Sequence, residues 1–493
     1  MKEQSKLSKV LSILLSVVLV ISSFYLLYQV IRLNVLPSKF LFPLTIGVVV
    51  LDAIFILLLI YFSKNVVSKI VCIVLTLFIC VASCMGGYYI SKTKSALSNI
   101  TNVAKHAKNT VSVIVKESSS IKNKSQLNGV SVGSLRLNEQ GSKKVLKELS
   151  GEGIVLNQTE YDSMTALLEA FYNGEVDSII INESSRSQIL DMEAYSNFDS
   201  NTRVVYQTSY KVKNNDSATS VSDITSKPFN VLISGSDTRG GFDENGRSDV
   251  IMIATVNPKT HTILLTSVPR DFYVTTACDA GDGCMQGALD KITHTGIHGT
   301  NTTKRTVEQL LGIEINYTFK VGFDTVTELV DVLGGVDVYV EPGYATTTSQ
   351  FSVHEGVNHL NAQQALAFAR ERYSYTEGDR QRTKNQQQVL MGIVKEATKP
   401  SVITNYAAIM DTMANTFSTT MSNEEITDLI KYQLNNNPTW KMEQYMVDGT
   451  GDTLMCAELG DAASVMVPDQ STVKMAKDKI NAVLAGKSSE DVK

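Results

Sequence analysis

The sequence has little proline, tryptophan and charge. Of its 493 residues, 9 are proline, 30 are glycine and 1 is tryptophan, and 19% are charged. So little proline and glycine excludes a collagen-like chain and a Pro/Gly-rich disordered chain. Hydrophobic residues make up 43%, which is ample for packed cores. The length predicts roughly two to four domains.

Several catalytic signatures are also missing. The sequence contains no Walker A motif and no H-E-x-x-H motif, so the signature residues of P-loop NTPases and of zinc proteases are absent. None of the six cysteines stands at zinc-site spacing from a histidine. Cys278 and Cys284 flank a Gly/Asp-rich loop. The sequence is consistent with a short disulfide across this loop and equally with two free thiols. For His294 and His298 we expect structural roles.

Charge is distributed unevenly along the chain. Residues 1–95 carry nine lysines and arginines against two acids, whereas the remainder carries 36 basic against 48 acidic residues. Nucleic-acid binding needs a basic surface that replaces the phosphate counterions. The acidic remainder therefore argues against nucleic acid as a partner.

Three apolar stretches open the chain, at 10–31, 40–62 and 70–90, and only Asp52 places a charge within them. Each is long enough to cross a hydrocarbon core of about 30 Å, and the first exceeds the roughly 7–15 apolar residues of a signal peptide. We therefore predict three transmembrane helices over residues 10–90. Asp52 is either functional or hydrogen-bonded between the helices, and we favour the second.

An odd number of spans places the two ends of the chain on opposite sides of the membrane. The balance of loop charges favours neither orientation strongly, but the nine-residue tail at 1–9 is too short for a cytoplasmic domain. We expect a multi-pass protein of the cell membrane, with a cytoplasmic N-terminus and extracellular C-terminal domains.

The outer part divides into two α/β regions. Over residues 91–213, short β-branched runs alternate with amphipathic helices, which is typical of a stalk followed by a small α/β accessory domain. No catalytic pattern occurs there, so we expect a spacer or docking module. Residues 214–228 are polar and lack aromatics, as linkers do. Residues 229–486 form the last predicted domain, before a polar tail at 487–493.

The last domain carries a predicted hairpin with charged ends. Two β-rich runs are joined by NPKT, and a turn near residues 259 and 260 brings Asp249 opposite Arg270. Asp237 ends an earlier predicted strand, close to Arg239. Aspartate oxygens are ligands that Mg²⁺ prefers when it also bridges phosphates.

A second group of cationic residues follows the helix-favouring segment LNAQQALAFA. Arg370 and Arg372 share a face if the chain leaves that helix extended. Arg382 and Gln386 share a face at the positive start of the next helix, where an anion is favoured. Guanidinium forks suit phosphate oxygens. The combination fits a pyrophosphate with its metal, although each residue alone is also consistent with a solvated charge.

Five blocks of this domain resemble, in order and spacing, those of the LytR-CpsA-Psr family. The three spans and the accessory domain resemble its streptococcal capsule branch, CpsA. The five blocks are FNVLISGSDTRG, GRSDVIMIATVNPKTHTILLTSVPRD, DKITH, FKVGFDTVTELVDVLGGVDVYV and LNAQQALAFARERYSYTEGDRQRTKNQQQVL.

The resemblance implies an α/β protein with an α/β/α catalytic domain around a central mixed sheet. It also implies a membrane-anchored phosphotransferase that moves a glycopolymer, here capsular polysaccharide, from undecaprenyl pyrophosphate onto peptidoglycan. Mg²⁺ is the implied cofactor, with Mn²⁺ as an alternative, and other capsule-assembly proteins are further candidate partners. A polyprenyl-pyrophosphate pyrophosphatase and a non-catalytic regulator or scaffold stay open as alternatives.

The resemblance also implies the roles of individual residues. Asp237 and Asp249 are expected to hold the metal, and Asp379 to orient the arginines, with Arg239 as a weaker candidate. The residues expected at the pyrophosphate are Arg247, Arg270, Arg370, Arg372, Arg382 and Gln386. Those expected to be catalytic are Asp237, Asp249, Arg270, Arg370 and Arg372.

Overall fold

The computed structural model describes residues 6–62, 65–103, 106–213, 217–236, 244–279, 283–399 and 402–492. The chain divides into two units. The first comprises Met1–Asn99, Ala397–Ala414 and Ser422–Pro438, and the second comprises Ile100–Glu396, Asn415–Met421 and Thr439–Lys493.

Three apolar helices dominate the first unit: α1 (Lys6–Leu33), α2 (Ser38–Leu57) and α3 (Val66–Val103). By length and composition, the segments that can cross a membrane are Lys9–Leu33, Ser38–Phe62 and Val66–Thr101. Ser23 donates a hydrogen bond to Asp52 at 2.9 Å, so this carboxyl group is paired between α1 and α2 as expected. Because α3 continues to Val103, most of the predicted stalk is helical.

The accessory domain, within the second unit, contains a five-stranded sheet in the order β3-β2-β4-β1-β5. Strands β2, β3 and β4 are parallel, whereas β1 pairs antiparallel with β4 and β5. The strands are β1 (His106–Lys116), β2 (Ser131–Leu135), β3 (Asn157–Tyr161), β4 (Ser178–Asn182) and β5 (Thr202–Lys213). The helices are α4 (Glu139–Gly151), α5 (Met164–Asn173), α6 (Arg186–Asp191) and α7 (Phe198–Asn201).

One strand of this domain begins later than its sequence predicts. The run GIVLN predicts a strand over residues 153–157, but β3 begins only at Asn157. Gly153 has a φ of 81°, and the N–H of Ile154 donates to the carbonyl of Leu149 at 2.9 Å. The chain therefore first reverses at the end of α4, and Ile154 and Leu156 fill the core from a loop.

The core domain that follows the linker is built on a mixed six-stranded sheet in the order β16-β11-β6-β7-β8-β17. Its strands are β6 (Phe229–Ser236), β7 (Ser248–Asn257), β8 (Thr262–Val268), β11 (Tyr317–Gly322), β16 (Phe417–Thr419) and β17 (Lys441–Met446). Shorter two-stranded sheets pair β9 (Tyr273–Thr275) with β10 (Leu289–Lys291), β12 (Val336–Val340) with β15 (Gly356–Leu360), β13 (Thr346–Thr347) with β14 (Ser352–Val353), and β18 (Gly449–Cys456) with β19 (Asp461–Pro468).

Helices complete the layers of the core. They are α8 (Thr300–Leu311), α9 (Phe323–Leu333), α10 (Ala362–Arg370), α11 (Asp379–Ala397) and α14 (Gln470–Leu484). Helices α8 and α14 cover the sheet through one buried apolar cluster that includes Leu232, Ile253 and Ile480. A second cluster joins α9, α10 and α11 to β12 and β15. The predicted α/β architecture with a central mixed sheet is confirmed.

Two later helices lie largely in the first unit, α12 (Val402–Thr416) and α13 (Asn423–Asn436). Helix α13 contacts the loop between α1 and α2 and the first turn of α2. Lys431 donates to Asn34 at 2.9 Å, and Lys39 donates to the carbonyl of Asn435 at 2.6 Å. These contacts connect a segment that follows α11 to the junction of α1 and α2.

Candidate active site

The β7–β8 hairpin places an aspartate beside an arginine. Its register runs from Asn257 opposite Thr262 to Ile251 opposite Val268. Continued by two residues, that register sets Asp249 opposite Arg270, and the guanidinium donates to the carboxylate at 2.8 Å. The two side chains are 11% and 19% exposed. The predicted neighbourhood of these two residues is confirmed.

The arginines predicted to bind an anion converge on one cavity of about 280 Å³, which we call the arginine cavity. Its lining residues are Arg247, Asp249, Arg270, Arg370, Arg372, Tyr373, Arg382 and Gln386. Asp379 forms an ion pair with Arg382 at 2.6 Å, and its orienting role stays a prediction. Asp237 and Arg239 lie outside the described residues.

Two helix ends bring the distant arginines together. Helix α10 starts at a capping box, with Asn361 and Gln364 bonded reciprocally, and ends at Arg370. Glu371 is extended, so Arg372 returns toward the side of Arg370. On α11, Arg382 and Gln386 are one turn apart, and Gln386 donates to the carbonyl of Ala369 at 3.3 Å. The end of α10 and the start of α11 thus face the same cavity.

The electrostatics of the arginine cavity favour an anionic ligand. Burial, followed by the neighbouring cations Arg270 and Arg372, lowers the pKa of Arg382 despite its pairing with Asp379. The buried Nε atoms of Arg247, Arg270 and Arg382 have no hydrogen-bond partner among the described residues. Buried donors are normally paired. A phosphate group offers the acceptors and the negative charge that this site lacks.

Tyr373 is a lining residue that sequence reasoning missed. The guanidinium of Arg372 lies 4.6 Å above its ring and also donates a hydrogen bond to its hydroxyl. The ring is 84% exposed, so it is available to a ligand. Its only signal in the sequence is its position directly after Arg372.

A serine segment with the letters of a hydrolase motif does not form a nucleophile site. Residues 129–133 read GVSVG, which satisfies G-x-S-x-G. That motif acts where a strand turns sharply into a helix. Here Ser131 is the first residue of β2, and its hydroxyl donates to Asp177 at 2.7 Å. The serine is therefore structural.

The cysteines and histidines left open by the sequence have defined partners. Cys278 and Cys284 form a disulfide. His294 lies 2.7 Å from Asp290, and His298 lies 2.9 Å from Glu458. Both histidine rings are largely buried in these pairs, in agreement with the structural roles expected for them.

Comparison with known proteins places this site in a family. Residues 194–482 match the model of the LytR_cpsA_psr family. The polyisoprenyl-teichoic acid–peptidoglycan teichoic acid transferase TagU of Bacillus cereus strain AH820 is 31% identical over 241 residues, which are 48% of this chain and 76% of the relative. TagU of Bacillus subtilis strain 168 is 34% identical over 203 residues, 41% and 63% of the two chains.

Solved structures were matched as well. The crystal structure of Bacillus subtilis TagU has 28% identity and a TM-score of 0.40, covering 52% of this chain and 97% of the other. A protein of Streptococcus agalactiae has 25% identity and a TM-score of 0.45, covering 53% and 89%. The family model covers more than half of this chain, and the chain therefore belongs to the LytR-CpsA-Psr family.

Proposed function

We propose that this chain is a membrane-anchored phosphotransferase that moves a glycopolymer from a polyprenyl pyrophosphate carrier onto peptidoglycan. The observation that carries the proposal is the arginine cavity, where five arginines and Asp249 line one space. Relatives over this region are named as transferases of teichoic acid to peptidoglycan. A pyrophosphate is the part of such a donor that five guanidinium groups suit best.

In this mechanism a hydroxyl of the acceptor sugar attacks the phosphorus attached to the glycan. The new P–O bond forms as the bond to the bridging oxygen breaks, and polyprenyl phosphate leaves with the electron pair. Arg270, Arg372 and Arg382 offset the charge that develops on the leaving phosphate, where such groups contribute most to rate. The hydroxyl proton passes to a base that we leave unassigned. The apolar spans confine the enzyme to the surface that holds the lipid donor.

Mg²⁺ is the cofactor that we propose, with Mn²⁺ as the alternative. Asp249 offers a carboxylate at the cavity, and the buried hydroxyl of Ser236 has no hydrogen-bond partner within the described segments. Such hard oxygens fit this cation, with Asp237 as the second proposed ligand. The described residues contain no group of three acidic, His or Cys side chains suited to a metal, so phosphate oxygens would complete the shell. Bound there, the cation would supply electrostatic stabilisation of phosphate charge.

The finer identity of the substrates belongs to the same proposal. We propose undecaprenyl pyrophosphate as the carrier and capsular polysaccharide as the polymer, because the three spans and the accessory domain resemble the capsule branch of the family. Transfer onto peptidoglycan requires the catalytic core to be extracellular. Labelling intact cells with a membrane-impermeant maleimide tests this: Gln126→Cys should react, whereas Ser5→Cys in the short tail should react only after lysis.

The decisive experiment uses the full chain in lipid nanodiscs. A radiolabelled polyprenyl-pyrophosphate glycan and nascent peptidoglycan are supplied with and without Mg²⁺, beside Asp249→Ala and Arg270→Ala. We expect label in peptidoglycan that depends on the metal and is lost in both variants. Release of free labelled glycan instead would establish a pyrophosphatase. Donor binding without any turnover would establish a regulator or scaffold.

The matched control for these variants is Arg380→Ala. Arg380 follows Asp379 in the sequence but pairs with Asp448 at 2.7 Å and does not line the arginine cavity. Its side chain is 44% exposed, and exposed pairs contribute little to stability. We therefore expect Arg380→Ala to transfer label at the wild-type rate, which separates loss of the site from loss of positive charge in general.

A further inference from the structure

A larger cavity, of about 780 Å³, lies between the accessory domain and the catalytic core. We call it the domain cleft. Arg247 and Arg270 line both this cleft and the arginine cavity, so the two spaces are contiguous at these side chains. Its volume falls within the range of about 300–1,000 Å³ that is typical of ligand pockets. A ligand whose phosphates occupy the arginine cavity therefore has room to extend into the domain cleft.

Specific contacts fix the two walls of the domain cleft. The backbone N–H of Thr165 donates to the carbonyl of Leu459 at 3.1 Å. Asp191 of the accessory domain forms an ion pair with Arg247 of the core. Met192 packs against the buried cluster that contains Leu459. These contacts join α5 and the end of α6 to the β18–β19 hairpin and to the residue before β7, so the accessory domain contributes a fixed wall beside the phosphate site.

Gln188 is the feature of this wall that indicates a ligand. The residue is 2% exposed and lines the domain cleft. Neither its amide oxygen nor its amide nitrogen has a hydrogen-bond partner in the part of the chain that the structure describes. Leaving a buried polar group unpaired costs about 1–3 kcal/mol, so such groups normally have a partner. An amide supplies both a donor and acceptors, which is what a sugar hydroxyl needs.

The other accessory side chains of the cleft suit a neutral, hydroxyl-rich ligand. Glu169 and Glu193 add acceptors, and Asp461 faces them from the core hairpin. Burial raises the pKa of the Tyr195 hydroxyl, and the carboxylates of Glu169 and Asp461 raise it further, as expected of near neighbours. The Tyr195 ring stacks on Tyr172 with centroids 5.3 Å apart. Carboxylates accept from hydroxyls but repel a polymer that carries its own phosphates.

We propose that the domain cleft binds an uncharged sugar segment directly beside the pyrophosphate, with Gln188 and Tyr195 as its contacts on the accessory domain. This inference rests on the proposed function of the arginine cavity and extends it to the glycan. The accessory domain then acts as part of the substrate site, where sequence reasoning expected a spacer or docking module. The segment belongs either to the donor glycan or to the acceptor strand of peptidoglycan, and their shared chemistry is a pyranose with free hydroxyls.

The test compares ligands with and without sugar on the full chain in nanodiscs. The probes are farnesyl pyrophosphate, the same lipid carrying an uncharged disaccharide, and a chito-oligosaccharide as the acceptor-like glycan. The variants are Gln188→Met and Tyr195→Ala. The control is Gln158→Met, which changes an exposed glutamine on β3 of the same domain. Affinity is measured by calorimetry, and label transfer is measured in parallel.

We expect Gln188→Met and Tyr195→Ala to weaken binding of one sugar-bearing probe by roughly tenfold each, with farnesyl pyrophosphate bound as in the wild type. A loss confined to the lipid-linked disaccharide assigns the cleft to the donor, and a loss confined to the oligosaccharide assigns it to the acceptor. Gln158→Met should bind every probe normally.

Two outcomes would overturn the inference. In one, both variants bind all sugars as tightly as the wild type while Gln188→Met raises the melting temperature, as expected of a buried amide with no ligand. In the other, both variants bind farnesyl pyrophosphate as weakly as they bind the sugar-bearing probes, which indicates a general distortion of the protein. Failure of the proposed function looks different: the wild type would bind the disaccharide lipid more tightly than farnesyl pyrophosphate but transfer no label.

Discussion

Arg270 donates to the carboxylate of Asp249 at 2.8 Å, and the Oδ2 atom of Asp271 lies 3.7 Å from the Nε atom of Arg270. Burial, the largest single influence, lowers the pKa of Arg270, but the carboxylates of Asp249, Asp271 and Asp379 together outweigh it and leave the pKa above its ordinary value. The hairpin therefore holds a firmly charged guanidinium at the junction of the arginine cavity and the domain cleft.

Because a lysine keeps the charge but loses the planar fork, Arg270→Lys tests geometry apart from charge. We expect kcat for label transfer to fall by about 10–100-fold, since a misplaced charge stabilises the transition state less well. The melting temperature should change little, because Asp249 keeps a cationic partner. Wild-type kcat in Arg270→Lys would show that charge alone suffices at this position.

Removing single charges from the arginine cavity should weaken pyrophosphate binding and its dependence on salt. We expect Arg372→Gln and Arg382→Gln each to raise Kd for farnesyl pyrophosphate by roughly tenfold or more, as for charge-assisted hydrogen bonds. The loss should shrink at high ionic strength. Arg136→Gln is the control, since Arg136 is 62% exposed on the accessory domain and pairs with Asp162. Equal losses in all three variants would argue against a specific site.

Gly296 allows a close approach that positions Arg247. A Cβ at this residue would lie 2.5 Å from the carbonyl oxygen of Gly246 and 2.6 Å from the backbone nitrogen of Ser248. Gly296→Ala must therefore displace the backbone on both sides of Arg247, at a cost of about 1–3 kcal/mol. We expect a lower melting temperature and weaker farnesyl pyrophosphate binding. Gly451→Ala is the control, since open space surrounds the added Cβ, and it should change neither the melting temperature nor the binding. A Gly296→Ala variant with the melting temperature and binding of the wild type would contradict the close packing at this residue.

The Cys278–Cys284 disulfide closes a short loop, with a sequence separation of 6. A loop of this size is expected to stabilise the fold by about 2 kcal/mol through the unfolded state. The double variant Cys278→Ser/Cys284→Ser should lower the melting temperature, and dithiothreitol should lower it equally in the wild type but not in the variant. Mass spectrometry that found both thiols free in protein isolated from cells would contradict the bond.

Glu443 should make the β17 edge of the core sensitive to acid. Its side chain is 1% exposed. Burial alone raises the pKa of Glu443, but Lys441 and the donors of Ser488 and Ser489 outweigh burial and lower the pKa to about 2 from 4.5. Since the folded pKa is depressed, the stabilisation is complete above pH 4.5 and is lost as pH falls toward 2.

The single tryptophan can report this loss. Trp440 directly precedes β17, and its ring centroid lies 5.8 Å from that of His261. Denaturation followed by Trp440 fluorescence at several pH values should show the wild type losing stability below pH 4.5. Glu443→Gln should start less stable and lose less in that range. Parallel pH profiles for the two proteins would rule out Glu443 as the source.

Features that a short stretch of residues determines could be predicted from the sequence. The three spans follow from the length of uninterrupted apolar residues, and the Asp249–Arg270 contact follows from the period of two in a hairpin with a short turn. The shared faces of Arg370 with Arg372 and of Arg382 with Gln386 follow from the local geometry of two helix ends. In each case a few neighbouring residues determine the geometry, so the pattern can be read directly.

Features that depend on packing between distant segments were decided only by the tertiary structure. Strand β3 begins late because a glycine turn and core packing outweigh the β propensity of the residues before it. Tyr373 has no periodic signal, and the partnerless amide of Gln188 can be recognised only once its surroundings are known. The domain cleft exists because Asp191 meets Arg247 across 56 positions of sequence, a contact that no local pattern contains. The sequence determined which groups bear charge; the fold determined which of them share a cavity.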